Sequence, residues 1–290
     1  MYAVIGVTGQ VGGAVARNLL AQGKKVRAIV RDAAKGQPWV ERGCELTLAA
    51  INDPRALMKA FEGVEGAFVM LPPIFDPTPG FPEAREAIES IRIALSGAKP
   101  GRVVCLSTIG GHVTRASLLS QLHILENVLG GVGLPITFLR AAWFMENSAW
   151  DVQPAREKGV IPSFLQPLDK LFPMVATEDI GAVAAKLLTA PNEPARVVEL
   201  EGPKRIAPSE IAATFTKLLG KEVRMEAVPR NSWERLFRAQ GMKNPLPRMQ
   251  LLEGFNEGWI EFEGGEANSE KGTTPLETVL HSLLERNAAQ

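Results

Sequence analysis

The first residues of this chain constrain its fold more than any other segment. Ala3–Val7 is a short apolar run, which is typical of a strand buried in a parallel sheet. Gly6, Gly9 and Gly12 follow at intervals of three residues, and an amphipathic helix then runs towards Gly23. A strand, a glycine turn and a helix in this order predict a dinucleotide-binding unit.

Glycine suits such a turn because it lets the backbone approach a pyrophosphate closely. The helix that follows offers unpaired N–H groups and the positive end of its dipole. The spacing Gly-x-x-Gly-x-x-Gly is a variant of the usual three-glycine pattern, so a tight turn that binds no ligand is the alternative. The flanking strand and helix favour the dinucleotide site.

Arg31, at the end of the predicted strand Val26–Val30, indicates which dinucleotide is bound. An NAD-selective site usually has a carboxylate there, which accepts from the ribose 2′-hydroxyl. A guanidinium instead suits a 2′-phosphate, and Asp32, one residue later, points in another direction. We therefore expect NADPH to be preferred by about ten- to a hundredfold, with Lys35 adding to the phosphate field. The alternative is a solvated arginine at the start of a loop.

Length and charge set broad limits on the protein class. The 290 residues suffice for one large or two modest domains, and a formal net charge of zero gives no argument for nucleic acid or an anionic membrane. Cys44 and Cys105 form neither a disulfide framework nor a metal-ligand spacing, so no metal is expected. Since no secretory signal precedes the first strand, we expect a cytoplasmic protein.

Strand and helix signals alternate through the first half of the chain. This alternation predicts an α/β fold, a doubly wound parallel sheet of Rossmann type with strand order 3-2-1-4-5-6. The predicted strands are Ala3–Val7, Val26–Val30, Glu45–Ala49, Gly66–Leu71, Arg102–Ser107 and Ile136–Arg140. The predicted helices between them include one that Asp53 caps and that ends at Gly63, then Glu83–Ala98 and Ser117–Leu129.

The alternation ends after Arg140. We therefore predict an NADP-binding domain over residues 1–142 and a smaller α/β lobe over 143–290 that binds substrate, with 174–200 returning to the first domain. The lobe is expected over the carboxyl ends of the strands, where ligands of doubly wound folds bind.

The second half still contains individual signals. Its predicted elements are helices at Glu178–Leu188 and Ser209–Leu219 and strands at Val197–Leu200 and Glu222–Val228. Gly264–Thr273 has the composition of a polar, mobile linker. Thr274, Pro275 and Glu277 then have the spacing of a capping box that begins the last helix.

The single tyrosine limits the chemistry. Many reductases of this architecture use a Tyr with a Lys four residues later, but Tyr2 precedes the first strand, away from the crevice. Reduction would then depend on placing the nicotinamide against an acceptor. That suffices for quinones, flavins or azo dyes, which take hydride readily, and is poor for simple ketones.

His123 is the candidate for proton delivery. His123 and Glu126 share a helix face, and a neighbouring carboxylate raises the pKa of an imidazole and fixes one tautomer. A surface histidine paired with a glutamate is the alternative. His112, after the fifth strand, fits a mobile loop histidine better.

Residues at strand ends complete the predicted crevice. Ser107 is expected to reach the nicotinamide ribose, while Leu71 and Pro72 wall the nicotinamide side. An aromatic acceptor pocket is predicted from Trp143, Phe144 and Met145. Because apolar crowding is often plain core, a core role for these three is the alternative.

Several segments together resemble the NmrA-like family of atypical short-chain dehydrogenases/reductases, which includes quinone and azo-dye reductases. The segments are Gly6–Gly12, Val30–Asp32, Asn52–Leu57, Gly133–Arg140, Phe144–Asn147, Ala176–Gly181 and Val198–Pro203. Leu-Arg followed by Phe-Met-Glu-Asn is more specific than the glycine motif, which many relatives share. The resemblance implies an NADP-binding Rossmann domain with a small C-terminal lobe.

By position, the resemblance implies cofactor contacts at Thr8, Gln10, Val11 and Arg31 and places His123 where members carry Lys or His near the nicotinamide. The family contains NADPH-dependent reductases and redox-sensing regulators. Two functions follow: reduction of a quinone-like or other conjugated acceptor, or NADP(H) sensing through a protein partner. The aromatic stretch favours the reductase, and a homodimer is compatible with both.

Overall fold

The computed structural model describes residues 1–191 and 196–288, and its centre is a sheet of eight parallel strands. The strands of the chain are β1 (Tyr2–Ile5), β2 (Val26–Val30), β3 (Glu45–Leu48), β4 (Gly66–Val69), β5 (Val103–Thr108), β6 (Ile136–Ala141), β7 (Trp143–Phe144), β8 (Val160–Ser163), β9 (Met174–Val175), β10 (Val197–Glu201), β11 (Arg224–Ala227) and β12 (Glu270–Lys271).

Helices connect most of these strands. They are α1 (Gln10–Ala21), α2 (Ala33–Val40), α3 (Pro54–Phe61), α4 (Pro82–Ala98), α5 (Ser120–Leu129), α6 (Val152–Lys158), α7 (Thr177–Thr189), α8 (Pro208–Leu219), α9 (Trp233–Ala239), α10 (Leu246–Glu257) and α11 (Leu276–Ala288). Within residues 1–191 and 196–288, none of the helices is both long and apolar enough to cross a bilayer.

The large sheet runs in the order β12-β10-β6-β5-β4-β1-β2-β3. The predicted doubly wound order 3-2-1-4-5-6 is therefore confirmed, and β10 and β12 extend the sheet beyond β6. Because the strands are parallel, their carboxyl ends meet at one edge, and the loops after β1, β2, β4 and β5 lie together there.

Both faces of the sheet are buried. Along β5, Val103 and Cys105 belong to one apolar layer, while Val104 and Leu106 belong to the other. The helices α3, α4 and α5 cover the first face, and α1 and α7 pack against each other on the second. Burial on both sides explains why the strands read as continuous apolar runs.

The second half of the chain contributes to the sheet and also builds smaller units beside it. Strand β10 pairs with β6, while β8 pairs with β11 and β7 with β9. Within the predicted return of 174–200 to the first domain, residues 192–195 lie outside the described part of the chain. The domain boundary at residue 142 stays a prediction.

The expectation of a mobile linker over Gly264–Thr273 is wrong. This segment contains a short 3₁₀ helix, Glu266–Asn268, and β12, the outermost strand of the sheet. Its side chains converge on Glu201, which is fully buried: Ser269 Oγ and Lys271 Nζ each donate to this carboxylate at 2.5 Å. A buried carboxylate distant in sequence therefore orders a segment whose local composition is that of a loop.

The capping box predicted for the last helix is also replaced by other contacts. Thr274 Oγ1 donates to Asp179 Oδ1 of α7 at 2.8 Å, and Glu277 pairs with Lys217 of α8 at 2.7 Å. Helix α11 begins at Leu276, beyond the threonine. In contrast, Asp53 caps α3 as predicted, accepting from the N–H of Ala56 at 3.0 Å.

Helix α1 approaches β1 so closely that only glycine fits at the contact. A Cβ on Gly12 would lie 2.3 Å from the carbonyl oxygen of Gly6 and 2.7 Å from that of Ile5. Gly181 has the same role between the helices, since its Cβ would lie 2.3 Å from the Cβ of Ala14. These two glycines set how near α1 lies to the sheet and α7 to α1.

We expect Gly12→Ala to lower the free energy of unfolding by about 1–3 kcal/mol or more, because the new methyl group would overlap backbone on β1. Gly9→Ala is the matched control, since its Cβ would lie 3.4 Å from the same Gly6 oxygen. Urea denaturation measures both variants. Equal stabilities would contradict the role of Gly12.

Candidate functional site

The glycine turn between β1 and α1 presents backbone groups at the carboxyl edge of the sheet. Gly6 has a left-handed backbone with φ of 76°, and its carbonyl accepts from the N–H of Gly9 at 2.9 Å. Gly9 is the N-cap of α1 and has no side chain to offer the first N–H groups of the helix. The turn therefore leaves N–H groups available to an anion.

The predicted cofactor contacts in this turn differ in exposure. Thr8, Gly9 and Gln10 are exposed, whereas Val11 and Gly12 are buried. Val11 and Gly12 can thus contribute through the backbone, while Thr8 and Gln10 present side chains to the edge of the sheet.

Arg31 lies directly after β2 and lines an open cleft of about 350 Å³. The other lining residues are Ala50, Ile51, Asn52, Pro72, Ile74, Glu83, Glu86 and Ala87. They come from the carboxyl ends of β3 and β4 and from the start of α4. Asp32 turns away to cap α2, accepting from the N–H of Ala34 at 2.9 Å.

The structure brings Pro72 into the same cleft as Arg31, while Leu71 is buried beside it with 9% exposure. Three other residues of the cleft, Ile51, Asn52 and Ile74, were not predicted from the sequence. Their positions could have indicated them, because residues that follow β3 and β4 lie at the same edge of the sheet as Arg31.

A buried ion network lies at the carboxyl ends of β5, β6 and β10. Arg140, only 4% exposed, donates from Nε and Nη2 to Glu126 at 2.9 and 2.7 Å. Its Nη1 lies 2.7 Å from Glu263 and 3.4 Å from Glu199. Ser107 Oγ donates to Glu126 Oε1 at 2.5 Å. Ser107, which is 4% exposed, is therefore oriented by the network, and within residues 1–191 and 196–288 no side chain donates to its oxygen.

The network also shifts the titration of its members. Burial acts to lower the pKa of Arg140, but its hydrogen bonds to Glu126 and Glu263 raise that pKa above its ordinary value. The hydrogen bond from Arg140 in turn lowers the pKa of Glu263. Both groups are thus held in their charged forms.

The expected pairing of His123 with Glu126 is wrong, because Arg140 and Ser107 occupy the carboxylate. His123 Nδ1 instead lies 2.9 Å from the carbonyl oxygen of Gly111, and Nε2 lies 2.9 Å from the amide nitrogen of Asn127. A carbonyl only accepts, so Nδ1 carries the proton and Nε2 accepts from Asn127. Both ring nitrogens are engaged within the protein.

Trp143 and Phe144 are partly buried, and the Trp143 ring meets Phe255 of α10 edge-to-face at 5.3 Å. Met145 is 1% exposed and belongs to the main apolar core, so it packs inside the protein and does not line an acceptor pocket. Only the two aromatic side chains retain surface that another molecule could contact.

The single tyrosine lies at the opposite edge of the sheet. Tyr2 begins β1 and is paired with Val26 and Gly66 at the amino ends of their strands. Its hydroxyl donates to Glu65 at 3.4 Å. The edge that carries Arg31 and Ser107 therefore lies at the far end of the strands from the phenol.

His112, Glu199 and Glu263 each place one ligand atom within 4.8 Å of the others, a grouping that a divalent cation could use. Arg140 already lies between the two carboxylates. A metal ion there would face the positive charge of the guanidinium. The arrangement suits an arginine-centred network better than a metal centre.

Comparison with known proteins adds a family and a fold. The model of the NmrA-like family matches residues 2–91 and 103–271. An NAD(P)H azoreductase of Xenophilus azovorans is 28% identical over 253 residues, which cover 85% of this chain and 83% of the relative. Quinone oxidoreductase 2 of Escherichia coli is 27% identical over 254 residues, covering 86% and 85%.

Solved structures show the same architecture. An NADPH complex of the Escherichia coli NADPH-dependent quinone oxidoreductase superimposes with a TM-score of 0.81 at 24% identity, covering 97% of this chain and 99% of that one. The NADP(H) complex of Citrobacter sp. triphenylmethane reductase gives 0.80 at 21% identity, covering 98% and 99%. These two likenesses establish the fold.

We expect Arg140→Leu to lower the free energy of unfolding by about 3–5 kcal/mol, because Glu126 and Glu199 would stay buried without their cation. In the double variant Glu126→Leu/Arg140→Leu, the loss should be smaller than the sum of the single losses by about 1–3 kcal/mol. Urea denaturation of the four proteins measures this coupling.

Arg92→Leu, which removes an exposed pair with Glu89, is the control and should change the free energy of unfolding little. Additive losses would contradict a coupled network.

Proposed function

Because the chain belongs to the NmrA-like family, we propose that it is an NADPH-dependent reductase that passes a hydride to a quinone-like or other conjugated small acceptor. The observation that carries this proposal is the Arg31 cleft, which opens at the same edge of the sheet as the glycine turn. The names of two relatives, an NAD(P)H azoreductase and a quinone oxidoreductase, support the reaction class.

Two features fit the dinucleotide to this edge. Gly12 lets α1 pack directly against the backbone of β1 and the turn, because a Cβ there would lie 2.3 Å from the carbonyl oxygen of Gly6. This contact places the first N–H groups of α1 at the carboxyl edge of the sheet, where a pyrophosphate would bind. Arg31 provides a guanidinium for the 2′-phosphate, in a cleft with Asn52 and Ile74. In this placement Pro72 lies beside the adenosine half, which differs from its predicted place at the nicotinamide.

The bound cofactor would supply the hydride. The chain's own residues position the two reactants. Ser107 donates to Glu126, which orients its oxygen to accept a hydrogen bond from the cofactor. Trp143 and Phe144 offer aromatic surface to the molecule that is reduced. His123 would have to break a contact with Gly111 or Asn127 before it moved a proton. We therefore propose that the proton reaches the reduced acceptor from water, which limits the reaction to acceptors that take hydride readily.

The engaged nitrogens of His123 and the distance of Tyr2 from this edge favour a second candidate function. A non-catalytic protein that senses NADP(H) would need the dinucleotide site and no proton donor. Such a protein would bind NADPH without oxidising it and would change the activity of a protein partner.

Anaerobic oxidation of NADPH, followed by its absorbance, tests the reductase directly. We expect turnover with naphthoquinones or azo dyes and none with simple ketones. The control omits the acceptor. If calorimetry detects NADPH binding but no acceptor is reduced, the sensor function is favoured over the reductase function. If NADPH does not bind, both proposed functions are overturned.

Arg31→Ala should weaken NADPH binding by about ten- to a hundredfold, because two charge-assisted hydrogen bonds to the 2′-phosphate would be lost. NADH, which lacks that phosphate, should bind the variant about as well as the wild type. Calorimetric titration with each dinucleotide measures the difference. Arg42→Ala is the matched control, since Arg42 lies 5.1 Å from the Trp39 ring and does not line the cleft. Equal losses of affinity for NADPH and NADH would show that Arg31 does not bind the 2′-phosphate.

A further inference from the structure

Arg248, in the first turn of α10, is a cation in apolar surroundings. It is partly buried, and its guanidinium carbon lies 4.6 Å from the centre of the Phe237 ring. Its Nη1 lies 3.8 Å from the sulfur of Met242. Across residues 1–191 and 196–288, no carboxylate lies within ion-pair distance of it. Burial without an acidic partner lowers the pKa of Arg248.

Two other arginines, Arg115 and Arg230, lie on tryptophan rings and have acidic partners. Arg115 lies 4.5 Å from Trp259 and pairs with Glu257 at 3.3 Å. Arg230 lies 4.8 Å from the Trp233 ring and donates from Nε to Glu253 at 2.5 Å. Within residues 1–191 and 196–288, Arg42 also lies on a ring, that of Trp39, without an ion pair, but its side chain is exposed and water can solvate the charge. Arg248 combines the missing carboxylate with partial burial.

The position of Arg248 adds to its electrostatic cost. A positive charge in the first turn opposes the helix dipole, and partial burial removes some of its hydration. An anion from outside the chain would relieve both costs. The residue is therefore suited to bind a negatively charged group.

The segment that carries Arg248 is tied to the ligand edge of the sheet. The N–H groups of Lys243 and Asn244 donate to Asp76, in the loop after β4, at 2.8 and 2.7 Å. The N–H of Leu118, in the loop after β5, donates at 2.9 Å to the carbonyl of the residue before Arg248. Ligands of doubly wound sheets bind beside such loops.

The face of α10 that carries Arg248 also reaches the aromatic surface. Phe255 follows seven residues later, two helical turns on, so the two side chains share a face about 10 Å apart along the axis. Phe255 contacts Trp143 edge-to-face. Phe255 is itself buried, so a molecule bound to Arg248 would meet the aromatic surface at Trp143, which is partly exposed.

We propose that Arg248 is a specificity-determining residue that binds an oxyanion, a carboxylate or sulfonate, on the aromatic acceptor. This inference rests on the proposed reductase function and names its substrate class as acidic, quinone-like aromatics. The guanidinium fork matches two oxygens of such a group, while Trp143 offers surface to the rings.

Binding of a non-reducible probe tests the residue independently of turnover. Calorimetry would compare naphthalene-2-sulfonate with neutral naphthalene-2-sulfonamide on the wild type and on Arg248→Met. We expect the variant to bind the sulfonate about tenfold or more weakly and the sulfonamide equally well. Arg230→Met, which removes a stacked arginine that has a carboxylate partner, is the matched control and should leave both affinities unchanged.

Kinetics would then separate specificity from stability. With a naphthoquinone and its ring-sulfonated derivative, Arg248→Met should raise KM about tenfold for the sulfonated acceptor alone, with kcat nearly constant, and Arg248→Lys should restore part of the loss. An unchanged sulfonate affinity, equal effects on the two acceptors, or a lowered Tm as the only change would overturn the proposal. A wild type that binds naphthalene-2-sulfonate through Arg248 but oxidises no NADPH would instead refute the reductase function.

Discussion

The contact between the turn after β1 and the first turn of α1 determines where the rest of the site lies. A methyl group on Gly12 would overlap two backbone oxygens, so the helix and the strand meet without intervening side chains. The helix start is thereby fixed at the carboxyl edge of the sheet. Since α7 packs on α1 through Gly181, the returning part of the chain depends on the same close approach.

A second constraint comes from charges rather than backbone. Arg140 lies one residue before the end of β6 and bonds to Glu126 of α5, Glu199 of β10 and Glu263 of the segment before β12. The side chains of Arg140, Glu126 and Glu199 are at most 10% exposed, whereas that of Glu263 is 62% exposed. Each of the three buried ions would be costly to bury alone. The guanidinium compensates part of the charge of Glu126 and Glu199, and the N–H groups of Glu263 and Gly264 also donate to Glu199. The network thus joins the two halves of the chain where the strands end, and it determines which hydrogen bond Ser107 makes.

Much of the fold was predictable because its signals are local. Apolar runs gave β2 its observed bounds of Val26–Val30, and Asp53-Pro54 marked the start of α3. The strand order followed from the alternation of strands and helices. Arg31 could be placed at the edge of the sheet for the same reason, since it directly follows a strand.

The errors share one cause, which is competition from partners distant in sequence. Thr274 had the spacing of a helix cap but bonds to Asp179, and Glu126 had the spacing of a histidine partner but bonds to Arg140. Helical spacing identifies neighbours on one element and cannot rank them against groups from other elements. Arg248 could not be distinguished from the other arginines, because the sequence does not reveal which of them lack an acidic partner.

The outermost strand of the sheet has a consequence for how this protein behaves at high concentration. Strand β12 has only two residues, Glu270 and Lys271; both are exposed, and the ammonium of Lys271 is bonded to the buried Glu201. A strand of another chain could form few backbone hydrogen bonds with two residues, and pairing there would bury charged side chains. At this edge of the sheet, the C-terminal segment therefore disfavours pairing with a strand of another chain, whereas β3 forms the other edge.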